Sequence, residues 1–190
     1  LNLFFNKVKE NPNMTITGNR FKRSEGIIFK VLYEAHKLLT LIFTGKLIKF
    51  GNFSCLPKPH LELLVQKSYL WNSYSGSVVK AIKDRTFIPS IRGLRYVLPS
   101  KMNFTALIFH SLSIISVFRK LVIIRSIILF SVYLILIYKN ISILTLFPIF
   151  CLLVFVFIIL KVSMRENTQE FNQSLENISS IDILNSSSSR

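Results

Sequence analysis

LVIIRSIILFSVYLILIY over 121–138 and ISILTLFPIFCLLVFVFIIL over 141–160, parted only by Lys139 and Asn140, are two nearly unbroken apolar runs. The first holds 18 residues with Arg125 near its start, and the second holds 20 with no charge. At ~1.5 Å rise per residue, each helix can cross a ~30 Å hydrocarbon layer. Helices packed in a soluble bundle are the alternative, but these normally keep a polar stripe, whereas 141–160 is apolar on all sides. The pair therefore reads as a transmembrane hairpin, which fixes how its flanks are read.

Arg119 and Lys120 precede the first run, and Lys161 and Arg165 follow the second. Through Lys120 the chain carries 19 basic and 5 acidic residues, so +14 of its net +15 lies ahead of the hairpin. Because cations collect on the cytoplasmic side of short loops, both ends of the hairpin are expected in the cytoplasm, with an external turn at Lys139. In a bacterium this means a multi-pass protein of the inner membrane. Within 101–120, the segment Asn103 to Phe118 is apolar with Ser and His interspersed, and the Arg119–Lys120 pair separates it from the first span. That pattern predicts an interfacial helix rather than a third crossing. Residues 163–190 are polar, include four consecutive serines before Arg190, and read as a disordered cytoplasmic tail.

The front segment, 1–100, alternates helical and extended patterns. Leu3, Phe4 and Val8 have helical spacing, Asn11-Pro12-Asn13 is turn chemistry, and 14–17 alternates as a short strand. This helix, turn and strand fit the end of an α/β sheet. Residues 27–43 are amphipathic, with Lys30, Glu34 and Lys37 on the polar side, suited to lying on a membrane surface. Gly45 interrupts them, 47–56 reads as a strand, and Pro57 and Pro59 open a helix bearing Leu61, Leu63, Leu64 and Val65. Another helix is expected over 74–82 and an extended stretch over 86–97. A start at Leu1, with no signal peptide, suggests the back part of a longer protein.

Chemistry-bearing patterns are sparse. Asp84 and Asp182 are the only aspartates and neither has an acidic neighbour. Phosphate-binding glycine loops and Cys/His ligand spacings are missing, and His36, His60 and His110 are scattered as packing residues would be. No metal ligands are assigned. The basic run Arg92-Gly93-Leu94-Arg95-Tyr96, followed by Ser100-Lys101-Met102-Asn103-Phe104, stands out instead. Guanidinium forks, an ammonium and a hydroxyl at head-group height suit a lipid phosphate or a diphosphate, against the plainer reading of a solvated juxtamembrane charge run. Arg20-Phe21-Lys22-Arg23-Ser24-Glu25-Gly26 is a second basic cluster, which Glu25 could partly neutralise. Net charge also suits nucleic acid, but with no binding module and lipid competing for the same cations, that partner is not expected.

These two clusters, with Phe50-Gly51-Asn52-Phe53-Ser54, Leu70-Trp71-Asn72 and His110-Ser111-Leu112-Ser113-Ile114-Ile115-Ser116-Val117-Phe118, occur in an order that resembles the C-terminal half of bacterial membrane-anchored family 2 glycosyltransferases, relatives of the polyisoprenyl-phosphate sugar transferases. The resemblance covers roughly 11–160. It implies an α/β fragment, the end of a Rossmann-like glycosyltransferase domain, with amphipathic interfacial helices and a transmembrane hairpin. It further implies transfer of sugar from a nucleotide-sugar donor to a lipid phosphate or membrane glycan precursor, with Mg²⁺ or Mn²⁺ held by an N-terminal half that this chain lacks. Alone, the chain is then expected to be inactive. The matching phosphate- or acceptor-binding residues are Arg92, Arg95, Ser100 and Lys101. Asn52 and Trp71 are candidate sugar contacts, although Trp71 also suits a buried anchor between helices. Leu98-Pro99 and Ser111 stand where such enzymes usually carry glycine. Expected partners are polyisoprenyl phosphate, the nucleotide-sugar donor and a second copy of the chain. The alternative function is a non-enzymatic basic membrane adaptor that binds anionic lipid.

Overall fold

The β-branched run Thr15-Ile16-Thr17 is buried and seeds the middle strand of a small sheet. In the computed structural model, which describes residues 2–22, 27–91 and 104–173, this strand, β1 (Thr15–Lys22), follows helix α1 (Asn2–Glu10). It pairs antiparallel with β2 (Ser54–Cys55) on one side and parallel with β3 (Arg85–Ile91) on the other. β1 runs beyond the 14–17 expected from alternation. Gly18 and Asn19 look like turn residues, but their backbone groups pair with Ile88 and Pro89 of β3. The fold is thus mixed α/β. Three strands do not amount to the doubly wound order of a Rossmann-like sheet, and no further strand occurs among the described residues.

Between the parallel strands come α2 (Ile27–Thr44), α3 (Lys58–Val65), a 3-10 turn (Ser68–Trp71) and α4 (Tyr74–Ala81). Pro57 and Pro59 sit at the start of α3, where a missing N–H costs nothing. The Ser73 hydroxyl caps α4 by accepting from the Gly76 N–H at 3.2 Å. One apolar cluster, Leu64, Val78 and Ile82, joins α3 to α4. Val79 joins Ile48, Ile114, Val117 and Phe118 in a second cluster, which ties α4 to α5 (Phe104–Ser116).

Two long helices complete the described chain: α6 (Arg119–Ile137) and α7 (Ile143–Ser163), matching the runs at 121–138 and 141–160. Both are long and apolar enough to cross a membrane, and only 17 % and 6 % of their most apolar windows are covered by the rest of the protein. The turn between them is closed by a Ser142–Thr145 capping box. The Tyr133 hydroxyl donates to the Thr145 carbonyl at 3.1 Å and links the two helices near it. At the opposite end α2, α5, α6 and α7 meet over Phe43, Ile115, Val122 and Ile159. α7 continues to Ser163 and a short α8 (Thr168–Asn172) follows. Composition places a disordered tail from 163, but Glu166 is held by contacts from distant elements, described below.

Gly45 ends α2 with φ +68°, a left-handed conformation that side chains resist, and its N–H donates to the Leu41 carbonyl at 2.8 Å. Beside it, Arg125 Nη1 of α6 donates to the Ile42 carbonyl at 3.0 Å, placing a cation at the negative end of α2. A Cβ at Gly45 would lie 2.5 Å from Arg125 Nη2. Gly45→Ala is therefore expected to cost ~1–2 kcal/mol from the backbone alone and to loosen the α2–α6 contact. Thermal unfolding of the detergent-solubilised variant checks this, and an unchanged midpoint would contradict it.

Candidate functional site

Where α4, β3 and the first turn of α6 converge, five cations gather: Lys46, Lys80, Lys83, Arg85 and Lys120. They surround a cavity of about 400 Å³, with Val79, Phe118 and Leu121 as its apolar lining and no carboxylate among the lining residues. Two of the five are fixed by helix ends. Lys80 Nζ donates to the Val117 carbonyl just beyond α5 at 2.6 Å and lies 3.9 Å from the centre of the Tyr69 ring. Arg85 Nη1 donates to the carbonyls of Val79, at 3.0 Å, and Ile82, satisfying the end of α4. Lys46, Lys83 and Lys120 have no ion-pair partner among the described residues.

Burial dominates the electrostatics here. Burial pulls the Lys80 ammonium below its ordinary range; Arg119 and Lys120 add to this, and the Glu166 carboxylate opposes them. Burial likewise lowers Arg85, without discharging a guanidinium. Tyr69, against Lys80, is raised by burial and then by Glu166. Two partly buried cations, Lys80 and Arg85, with the exposed Lys46, Lys83 and Lys120 beside them, make a ready place for an anion.

Glu166, just past α7, ties the end of the hairpin to the front segment. Its carboxylate accepts from Asn72 Nδ2 at 2.9 Å and Ser68 Oγ at 3.4 Å, and lies 3.7 Å from Arg119 Nη1. A second, more open cavity of about 480 Å³ lies beside it, between Asn72, α5 and Arg165, and includes His110. Arg165 reaches Ser113 Oγ at 3.4 Å and covers the Phe109 ring.

Of the residues expected to bind phosphate, Arg92, Arg95, Ser100 and Lys101 all lie outside the described residues. Asn52 is exposed on the approach to β2. Trp71 closes the 3-10 turn with 39 % of its surface exposed, so the alternative of a buried anchor does not hold. His60 is a packing residue, its Nδ1 2.8 Å from Thr15 Oγ1, and His36 likewise contacts Thr40. Among the described residues no group of three or more His, Cys, Asp or Glu is placed to hold a metal ion. The five-cation cavity escaped sequence reading because its members come from three separate stretches, around 46, 80–85 and 120, with no local motif joining them.

Comparison with known protein-family models, with curated proteins and with solved structures finds no match.

Proposed function

We propose that this chain forms the acceptor side and membrane anchor of a family 2-like glycosyltransferase, which moves sugar from a nucleotide donor to a lipid phosphate or membrane glycan precursor at the cytoplasmic face of the inner membrane. One observation carries the reading: β1 and β3 run parallel, with Arg20 opposite Ser90 and Lys22 opposite Ile91. The chain leaves both strands at the same edge, one leading into Arg23 and the other into Arg92. In open α/β sheets, ligands bind outside the carboxyl ends of parallel strands. Arg20 and Lys22 at the end of β1, a sequence that continues from β3 into Arg92 and Arg95, and two helices fit to span a membrane together favour a phosphate-bearing acceptor. The described residues offer no set of ligands for the divalent cation such enzymes use, so no step is assigned to a metal.

The test is sugar incorporation into lipid by membranes containing the complete gene product. Replacing Arg92 and Arg95 together by Ala removes two charge-assisted contacts of ~1.5 kcal/mol each, so transfer is expected to fall about 100-fold while the protein stays membrane-bound. Unchanged transfer would remove the arginines from the site. No incorporation from any nucleotide sugar would favour the second reading, a basic membrane adaptor, to which the cation-lined cavity lends support.

A further inference from the structure

We propose that the cavity walled by Lys46, Lys80, Lys83, Arg85 and Lys120 is a binding site for the phosphate of an anionic phospholipid head group or of a soluble phosphate compound, separate from the β3 edge that leads into Arg92. Three observations converge on it. First, the lining residues supply five cations and no carboxylate, so the charge is uncompensated within the cavity itself. Second, Lys120 and Leu121 belong to the first turn of α6, a helix fit to span a membrane, so the cavity opens where that helix meets the head-group layer. Third, Val79, Phe118 and Leu121 give it an apolar flank, able to receive the glycerol and first acyl carbons while the cations take the phosphate. A volume of about 400 Å³ accommodates a head group and exceeds the needs of an inorganic ion.

The division of labour among the cations agrees with this use. Lys80 and Arg85 are held by the Val117, Val79 and Ile82 carbonyls and form a fixed wall. Lys46, Lys83 and Lys120, with no ion-pair partner among the described residues, are the adjustable donors. Arg85 opens β3, whereas Arg92 follows its last residue, Ile91. Six residues at ~3.3 Å each put about 20 Å of strand between the two places. The inference therefore stands whether or not the chain takes part in sugar transfer.

Native mass spectrometry of the full chain, delipidated in detergent and offered phosphatidylglycerol or phosphatidylcholine, tests the site. Each adjustable lysine is expected to contribute about fivefold to retention of the anionic lipid. Phosphatidylglycerol is expected to be retained in preference to phosphatidylcholine. Lys46→Gln, Lys83→Gln and Lys120→Gln should each weaken that retention, the triple variant should abolish the preference, and arginine at all three positions should restore it. Displacement of phosphatidylglycerol by inorganic phosphate from wild type would assign the site to soluble phosphate; no displacement would assign it to lipid. Equal retention of the two lipids by wild type, or undiminished preference in the three single glutamine variants, would overturn the proposal.

Discussion

Leu153→Arg is expected to remove the chain from the membrane. Leu153 lies midway along α7 and is 58 % exposed. Exposure of this kind has opposite consequences in water and in lipid. On a water-facing helix, exchanging an exposed leucine for arginine changes stability by no more than ~0.5 kcal/mol and improves solubility. At the centre of a spanning helix it replaces a favourable contribution with a cost, a swing of ~3–4 kcal/mol, or about 100- to 1000-fold in the insertion equilibrium. α7 has no other charge before Lys161, and with only 6 % of its window covered by the protein, no neighbouring carboxylate compensates the new cation. Alkaline extraction of membranes is the measurement: wild type and Leu153→Ala should stay in the pellet, while Leu153→Arg should be released or degraded. Wild type released by alkali, or Leu153→Arg retained as firmly as Leu153→Ala, would overturn the membrane hairpin.

What the sequence disclosed follows from the range of the forces involved. α6 and α7 were legible because continuous apolarity is a local property, and α3 because Pro57 and Pro59 punctuate the chain where it begins. The α5 helix, Phe104–Ser116, falls within the expected interfacial stretch 101–120. Pairings between distant segments were not legible. The extension of β1 through Gly18 and Asn19 depends on a partner strand 70 positions away, and no local propensity announces it. Arg125 illustrates the same limit. Within an apolar run it looks like a blemish in the first span, yet it serves the end of α2 through the Ile42 carbonyl. The cation-lined cavity is a third case, because Lys46, Lys83 and Lys120 resemble ordinary surface lysines until the fold brings them together.

The same limit concealed Glu166, whose removal is expected to have the second large effect. Its side chain is only 10 % exposed and it accepts hydrogen bonds from Ser68 and Asn72 at the two ends of the 3-10 turn, so it acts as a clasp between the base of the hairpin and that turn. Asn72 makes the clasp costly to open: it is buried, and its Oδ1 already makes no hydrogen bond among the described residues. Glu166→Ala would strand its Nδ2 as well, leaving a buried amide with both ends unmet. The loss of a hydrogen bond to a charged acceptor, together with that desolvation, amounts to ~2–3 kcal/mol. The Arg119 contact adds little, since that guanidinium is 44 % exposed and can turn to water. For a chain of this size the thermal midpoint should fall by roughly 5–10 °C. Glu166→Gln, which keeps an acceptor for Asn72 but gives up the charge, should lie between wild type and Glu166→Ala. Unfolding followed in detergent by near-ultraviolet circular dichroism distinguishes the three. Were Glu166→Ala to melt with wild type, the residues after α7 would not hold the two parts of the protein together.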